Sequence, residues 1–466
     1  HVETAVNSYF GQAGAYIVED VAEEKLGLPS GYGVYDIPLI LTSKRYGSDG
    51  ALTSPAGEIE NLFGDVVHVN GQPWPFFQVE PRKYRLRFLN AAVSRSFILY
   101  FQQEFGPGVP YQEAGPGVPS PGGGPGVPFP GGGPGAPYPG GGPGAPFPGG
   151  GPGVPSPGGG PGVPNPGSGP GVPFHDGGAG IPFQVVASDS GLLAGPVPAN
   201  MLAIANAERW EVVFDFSPFA GQNLTLMNQL EVGQDKDYAP TTDQVMRFVV
   251  GPGAVADTSV VPVRLRDVPF PPPKGDVVDR RFLFHQQNGL WKINGVGFSD
   301  VQNRVLAKVP RGTVEVWEFE NGGGGVHPIH VHLVDFRILS RVGAGRSVLP
   351  HEAAGLKDVV WLGPGEVVRV EAHYAPWDGV YMFHCHNMIH EDHEMMAAFN
   401  VSSLADLGYK EASFADPMDP KWRAVPVSPV AFSNDAVVQK VQAMAALQPY
   451  NIGGEVWRKI AQRWSA

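Results

Sequence analysis

The segment around Cys385, the only cysteine among 466 residues, constrains this chain more than any other feature. His384 and His386 flank the cysteine, and His390 and Met395 follow it. A thiolate, imidazoles and a weak axial thioether favour copper in a trigonal site, whereas zinc takes a closed tetrahedral set. Cys385, His390 and Met395 are therefore expected to provide three ligands of a copper site, and a second histidine must come from elsewhere.

A second group of histidines lies upstream and is expected to supply that ligand. It reads His327-Pro-Ile-His330-Val-His332 and follows a strand-like run at residues 313–320. Zinc in place of copper is the competing interpretation of the two groups. A protein that loads with zinc rather than copper would favour the zinc interpretation over the copper interpretation.

Alternation of side chains along a strand suggests that one strand serves two metal centres. Successive side chains point to opposite faces, so His384 and His386 are expected on one face and Cys385 on the other. Cys385 would bind one copper, while its two neighbours, joined by His330 and His332, would face a second copper cluster. The peptide links beside Cys385 would then form a short covalent path for electrons.

The two histidine segments resemble known copper motifs. H-P-I-H-V-H and H-C-H-N-M-I-H-E-D-H-E-M are similar to the third and fourth copper motifs of the multicopper oxidases. Further segments are similar to fungal bilirubin oxidases, and the chain resembles the branch that contains these enzymes and spore-coat laccases. These segments are residues 64–75, 355–362, 371–376 and 416–426.

The resemblance implies a role for each residue of the two motifs. It assigns type 1 copper, the electron entry point, to His327, Cys385, His390 and Met395; type 2 copper to His330; and type 3 copper to His332, His384 and His386. Types 2 and 3 form the trinuclear cluster at which the family reduces dioxygen to water. Glu391 matches an acidic residue on the proton path to that cluster, and a solvated carboxylate is the alternative interpretation.

Half of the histidines that the family uses for its trinuclear cluster are not found in the 466 residues. The family completes the cluster with an H-x-H-G and an H-x-H motif in its first domain, upstream of a segment like residues 4–16. Neither motif recurs here, although His1 could be a relic of one of them. We therefore expect an N-terminally truncated sequence.

The two halves of the chain repeat a pattern that predicts an all-β fold. Residues 69–71 and 293–295 are turn signals, and each is followed by an alternating strand, at 84–90 and 314–321. The family resemblance implies tandem cupredoxin-like Greek-key β-sandwiches. The expected units are the end of a first cupredoxin domain (1–55), a second domain (56–252), a linker (253–276), a third domain carrying the copper motifs (277–402) and a tail (403–466) with a short helix near 436–447.

A Gly/Pro-rich insert interrupts the second predicted domain. Nonapeptide units of the form G-G-G-P-G-V-P-F-P recur within residues 106–180. Because this composition has no core-forming period and ordering glycine is entropically unfavourable, we predict a disordered, partly polyproline-II loop. The flanks at 96–101 and 181–187 are predicted to be neighbouring strands of one hairpin.

Charge and hydropathy limit the partners of the chain. The net charge of −13 disfavours nucleic acid and anionic membranes. The sequence contains no apolar run as long as the roughly 18 residues that a membrane helix needs. A small-molecule reducing substrate and dioxygen are the expected partners of a monomer, and the resemblance implies secretion.

These features together predict a copper-dependent oxidoreductase. A phenolic or tetrapyrrolic donor would give electrons to the type 1 copper, and Cys385 would pass them to the trinuclear centre. A ferrous or manganous ion oxidase of the same family is one alternative. The other is a one-copper electron-transfer protein without dioxygen reduction, which is what the 466 residues alone encode.

Overall fold

Mixed β-sheets, in which most strand pairs are antiparallel, form nearly all of the regular structure of the described residues, as expected for the all-β fold class. The computed structural model describes residues 3–18, 20–104, 180–229, 239–275, 277–402, 430 and 433–446. The predicted disorder of 106–180 therefore lies outside the described residues, except for Gly180, as does most of the predicted tail.

The first sandwich consists of a seven-stranded sheet, in the order β3-β2-β1-β5-β10-β7-β8, and a five-stranded sheet, in the order β4-β12-β11-β6-β9. Its strands are β1 (Asp36–Lys44), β2 (Val66–Val69), β3 (Gln72–Pro73), β4 (Phe76–Val79), β5 (Lys83–Asn90), β6 (Phe97–Gln103), β7 (Phe183–Ser188), β8 (Gly191–Ala199), β9 (Leu202–Ile204), β10 (Arg209–Asp215), β11 (Asn223–Asn228) and β12 (Gln244–Val250). Leu86 and Phe88 of one sheet and Phe101 and Phe248 of the other belong to a single buried core. The alternating strands therefore pack face to face, as in a sandwich.

The second sandwich consists of two five-stranded sheets, in the orders β14-β13-β16-β20-β18 and β15-β22-β21-β17-β19. Its strands are β13 (Arg280–Gln287), β14 (Leu290–Ile293), β15 (Val305–Pro310), β16 (Val314–Asn321), β17 (His327–Val331), β18 (Phe336–Val342), β19 (Val359–Leu362), β20 (Val367–His373), β21 (Gly379–Cys385) and β22 (Met396–Ser402). Trp317 of β16 contacts Phe383 of β21 across the core, with ring centroids 5.5 Å apart. Cys385 and Met395 are buried in the same core.

Short helices connect or cover the sheets. They are α1 (Thr4–Tyr9), α2 (Val21–Glu24), α3 (Pro350–Ala353), α4 (Met388–Asp392) and α5 (Asn434–Ala446), with 3-10 turns at Ser217–Phe219 and Pro240–Asp243. The last helix lies where the sequence predicts a helix near 436–447. Among the residues that the structure describes, none of the helices has the length and apolar character needed to cross a membrane.

The ends of the Gly/Pro-rich insert do not form the predicted hairpin. The Ile181 N–H does donate to the Phe101 carbonyl at 2.9 Å, so the chain leaves and re-enters at adjacent points. However, β6 lies in the five-stranded sheet and β7 in the seven-stranded sheet of the first sandwich. The hairpin prediction was wrong because alternation identifies a strand but does not say which of two facing sheets it joins.

One pairing bears on the predicted boundary near residue 55. This boundary falls between β1 and β2, which are antiparallel neighbours in one sheet, with Leu41 opposite Val69. β1 also pairs in parallel with β5. Residues 36–44 therefore share a sheet with residues of the predicted second domain.

Candidate metal centres

Two adjacent strands bring the histidine segments together. β17 and β21 are antiparallel, with Ile329 opposite Cys385 and His330 opposite His384. β19 pairs with the other edge of β17, and β22 pairs with the other edge of β21, so both strands lie inside the sheet. The backbone pairing therefore fixes the relative positions of the two segments.

Three of the predicted ligands converge on one point. The Cys385 Sγ lies 3.5 Å from the His327 Nδ1 and 3.6 Å from the His390 Nδ1, and the two Nδ1 atoms are 3.2 Å apart. All three side chains are fully buried. His327 starts β17, Cys385 ends β21, and His390 returns to them on α4, which begins where the Asn387 side chain accepts the Ile389 N–H.

The spacing of these three atoms fits a trigonal metal ion. An ion about 2.0–2.3 Å from each ligand in one plane would separate the ligands by about 3.5–3.8 Å. The measured distances of 3.2–3.6 Å are close to this range. One thiolate with two imidazoles matches the donor set of a trigonal copper site better than a structural zinc site, which normally has four protein ligands.

Met395 is placed beside this centre but is not shown to be a ligand. It is fully buried, and its carbonyl accepts the Cys385 N–H at 3.1 Å. The backbone bond fixes the end of the loop that carries His390. The axial thioether role of Met395 stays a prediction.

Burial sets the protonation of the three ligands. It lowers the pKa of His327 to about 3 and that of His390 well below its usual value, so both imidazoles are neutral and can bind a metal at neutral pH. Burial also raises the pKa of the Cys385 thiol. Loading a metal therefore has to displace the thiol proton, and metal affinity is expected to rise with pH.

Two residues that the motif analysis missed support the centre. Asn387 donates its backbone N–H to the Cys385 Sγ at 3.4 Å, and its side-chain Nδ2 lies 3.3 Å from the His390 Nε2. The Trp291 indole stacks on the His390 ring with centroids 3.8 Å apart. Asn387 lies inside the motif and could have been recognised as a helix N-cap, but Trp291 comes from β14 and carries no local signal.

A second group of imidazoles lies on the opposite face of β21. His330, His332 and His384 bring their donor atoms within 4.8 Å of one another, and the Nε2 atoms of His332 and His384 are 3.3 Å apart. The His386 ring lies beside them, with its centroid 5.3 Å from that of His384. The side-chain alternation predicted for His384, Cys385 and His386 thus agrees with the geometry.

A polar cavity opens beside this second group. Its volume is about 290 Å³, and His330, His332, Asp335 and Asp358 are among its lining residues. The His330 Nδ1 lies 2.8 Å from the Asp358 carbonyl oxygen. An imidazole held through Nδ1 presents its Nε2 to a metal, so Asp358 orients His330 as second-sphere partners of metal ligands do.

Glu391 is buried and does not match the alternative of a solvated carboxylate. Its Oε2 lies 3.1 Å from the His384 Nδ1. Burial alone would raise the pKa of Glu391, but the adjacent imidazoles of His384 and His386 outweigh it and lower this pKa to about 2. The carboxylate is thus ionised beside the second group, and its role on a proton path stays a prediction.

The helix that carries His390 and Glu391 is held by the N-terminal segment. The Asp392 carboxylate accepts the N–H groups of Thr4 and Ala5 and the Thr4 hydroxyl at 2.8–2.9 Å. α1 and α4 also share a small apolar cluster that includes Tyr9 and Ile389. α1 therefore fixes the position of α4 and, through it, of His390.

Comparison of the sequence with known proteins identifies one family. The multicopper oxidase family matches residues 270–404. The chain is 47% identical to a bilirubin oxidase of Albifimbria verrucaria over 97% of its own length and 69% of that protein. It is 33% identical to a laccase of Haloferax volcanii, covering 88% of the chain and 59% of the laccase.

Comparison of structures gives the same family. The multicopper oxidase McoA of Aquifex aeolicus superposes with a TM-score of 0.62 at 25% identity, covering 85% of this chain and 73% of that protein. This likeness confirms the predicted all-β fold of tandem cupredoxin-like sandwiches. The match includes both sandwiches, because it extends well beyond the region of the copper motifs.

Proposed function

The chain belongs to the multicopper oxidase family, and we propose that it oxidises small organic donors one electron at a time at the centre formed by His327, Cys385 and His390. It is an oxidoreductase with copper as its cofactor. The observation that carries the proposal is the convergence of one thiol and two neutral imidazoles within 3.6 Å in a fully buried site. This donor set selects copper for electron transfer.

Copper, when bound, supplies the redox chemistry by accepting single electrons from a donor and passing them on towards dioxygen. The residues of the chain define where this happens. Burial of Cys385, His327 and His390 excludes water, and the Asn387 N–H to the Cys385 Sγ stabilises the thiolate. Second-sphere bonds of this kind tune such centres.

β21 connects the two groups of ligands. Cys385 faces the first centre, while its sequence neighbours His384 and His386 belong to the second. We assign type 1 copper to His327, Cys385, His390 and Met395. His330 is proposed for type 2 copper, and His332, His384 and His386 are proposed for type 3 copper. Electrons are proposed to pass along β21 from Cys385 to its neighbours.

Glu391 is proposed to lie on the proton path to the second group. Its carboxylate is ionised and lies 3.1 Å from the His384 Nδ1. It can therefore accept the Nδ1 proton of His384 in a hydrogen bond and leave Nε2 free for a metal. This fixes the tautomer of His384 and places a carboxylate near any proton transfer at the cluster.

We propose that dioxygen is reduced to water at the second group of imidazoles on the condition that further imidazoles complete it, whatever their source. The chain itself contributes His330, His332, His384 and His386 to this group. For the 466-residue polypeptide by itself, one-copper electron transfer is a second candidate function. The observation that favours it is that, within the described part of the chain, the second group consists of four histidines, too few ligands for a trinuclear cluster.

Phenolic or tetrapyrrolic donors are proposed rather than ferrous or manganous ions. Aromatic rings surround His327, since the Trp291 ring lies 5.5 Å and the Phe284 ring 6.5 Å from it, centroid to centroid. The similarity to a bilirubin oxidase also supports an organic donor. Secretion of a monomer is proposed on the family resemblance alone.

Anaerobic reduction of the copper-loaded 466-residue polypeptide tests the proposal. Addition of 2,6-dimethoxyphenol or bilirubin should bleach the blue absorption band, and each chain should take up about one electron when the band is fully bleached. Ferrous and manganous ions at the same concentration should bleach it more slowly. Bleaching by the metal ions alone would overturn the choice of donor, and resistance to every donor would overturn the proposed function.

A further inference from the structure

The His390 ring is held from the first sandwich as well as from its own helix. Its Nδ1 lies 3.6 Å from the Cys385 Sγ, so its Nε2 points away from the first centre. Burial lowers the pKa of His390, and a hydrogen bond between its ring and the Glu60 backbone partly opposes this effect. Because only an acceptor favours a proton on an imidazole, the Glu60 carbonyl accepts the Nε2–H.

The residues on either side of Glu60 also provide acceptors near the first centre. The Ile59 carbonyl accepts the Trp291 Nε1–H at 2.8 Å, and the Asn61 Oδ1 accepts from the Asn387 Nδ2 at 2.7 Å. Three consecutive residues therefore each accept a hydrogen bond from a ligand or from a residue that supports it. We call residues 59–61 the acceptor loop.

The acceptor loop is anchored in the first sandwich beside the helix α4. The side chains of Ile59 and Glu60 are exposed, so these two residues present backbone rather than side chains to the centre. Leu62, the next residue, is fully buried in the apolar cluster that contains Ile389, and its N–H donates to the Ser94 Oγ at 3.0 Å. Leu62 thus fixes the position of the acceptors relative to α4.

Ser94 completes the contact between the first sandwich and the residues that follow β21. Its Oγ donates to the Asn387 Oδ1 at 3.0 Å, so the Asn387 amide has one partner on Asn61 and another on Ser94. The Val93 carbonyl accepts the Met388 N–H at 3.0 Å. The start of the segment that carries His390 is therefore held by residues of the first sandwich.

We propose that the acceptor loop is a positioning element through which the first sandwich sets the reduction potential of the first centre. The inference rests on the proposed function and adds how the electron affinity of the same site is set. A carbonyl that accepts the Nε2–H of a metal-binding imidazole fixes its tautomer and makes Nδ1 a stronger ligand. Glu60 therefore holds His390 ready to bind a metal through Nδ1.

Asn61 acts on the thiolate through Asn387. The Asn387 N–H donates to the Cys385 Sγ at 3.4 Å, and hydrogen bonding around the cysteine sulfur tunes the potential of a type 1 site. Such a bond withdraws charge from the thiolate, which stabilises cuprous more than cupric copper and raises the potential. Because Asn61 holds the Asn387 side chain, loss of Asn61 should weaken the bond to sulfur and lower the potential.

Two substitutions and one control test the acceptor loop in the copper-loaded protein. Asn61→Ala and Ser94→Ala each remove one partner of the Asn387 amide. Gln286→Ala is the matched control, because it removes a contact of 3.4 Å between the second sandwich and the exposed Glu60 side chain of the same loop.

Redox titration of the blue band measures the effect. In both loop variants the equilibrium constant for one-electron reduction should fall about tenfold, which is about 59 mV, whereas Gln286→Ala should leave it unchanged. A purely structural role would lower copper content or stability without moving the potential of the copper that remains. Equal potentials for all four proteins would refute the acceptor loop while leaving the proposed function intact.

The metal-free protein gives the second readout. With histidine rings labelled with ¹⁵N, His390 should carry its proton on Nε2, and this proton should exchange with water about tenfold faster in Asn61→Ala than in wild type or Gln286→Ala, since one hydrogen bond has an effect of this size. In the opposite tautomer Nε2 would accept from the Asn387 Nδ2, which lies 3.3 Å away, and the bond to Glu60 would be lost. That tautomer in the wild-type protein would overturn the proposal whether or not the copper-loaded protein is an oxidase.

Discussion

Cys385→Ser is expected to remove the blue colour of the copper-loaded protein completely. The colour of a type 1 site comes from charge transfer between a thiolate and copper, and the chain has no other cysteine. Serine keeps the size of the side chain, so the buried packing around residue 385 is largely preserved. The substitution therefore tests the sulfur itself.

Cys385→Ser should also lower the affinity of the protein for copper. Removing a second-sphere partner of a metal ligand costs about 10–100-fold in affinity, so loss of the thiolate should cost at least about 100-fold. Met395→Leu is the matched control, because an axial ligand tunes a copper centre without forming it. It should stay blue with a raised reduction potential. Visible spectra and equilibrium dialysis of both variants decide the matter: a blue Cys385→Ser protein would contradict the account.

Lys357→Met is expected to destabilise the fold more than any surface substitution. The Lys357 Nζ lies 2.9 Å from the Asp189 Oδ2 and 3.0 Å from the Glu208 Oε1, and all three side chains are almost completely buried. Lys357 pairs with Phe336 in the second sandwich, whereas Asp189 follows β7 and Glu208 precedes β10 in the first. The triad therefore connects the two sandwiches.

Electrostatics explains the expected size of this effect. The carboxylates of Asp189 and Glu208 outweigh the burial of Lys357 and raise its pKa, so the ammonium is charged in the folded protein. Without it, at least one carboxylate would be buried and unpaired, or would have to take up a proton. Removing one partner of a buried ion pair costs about 3–5 kcal/mol in the free energy of unfolding.

Urea unfolding of the metal-free protein at neutral pH measures the effect. Lys308→Met is the matched control, because Lys308 is exposed on β15 and its replacement should change the free energy of unfolding by no more than about 0.5 kcal/mol. Similar unfolding curves for the two variants would show that the triad does not hold the sandwiches together.

The ligand groups could be predicted from the sequence because their geometry is local. His384, Cys385 and His386 alternate on one strand, and a period of two places them on opposite faces without knowledge of the rest of the fold. Glu391 and His390 follow within one short helix. The choice of His327 for the Cys385 centre depends on the family resemblance, whereas the grouping of His330 with His384 is predicted without it. The structure brings both sets of side chains together in this way.

Contacts between distant segments could not be predicted. Trp291 reaches His390 only because β14 lies at the edge of the facing sheet, and no periodicity encodes that position. The triad around Lys357 joins two sandwiches, and each of its residues would be read as a solvated charge by itself. The same limit explains the wrong hairpin at the insert, since alternation does not assign a strand to one of two sheets.

Anomalous diffraction at the copper absorption edge, from crystals of the copper-loaded protein, tests the central claim most directly. The account predicts a strong peak between the Cys385 Sγ and the Nδ1 atoms of His327 and His390, at about 2.0–2.3 Å from each. No such peak at this point, or a fully occupied copper only at surface histidines, would contradict it.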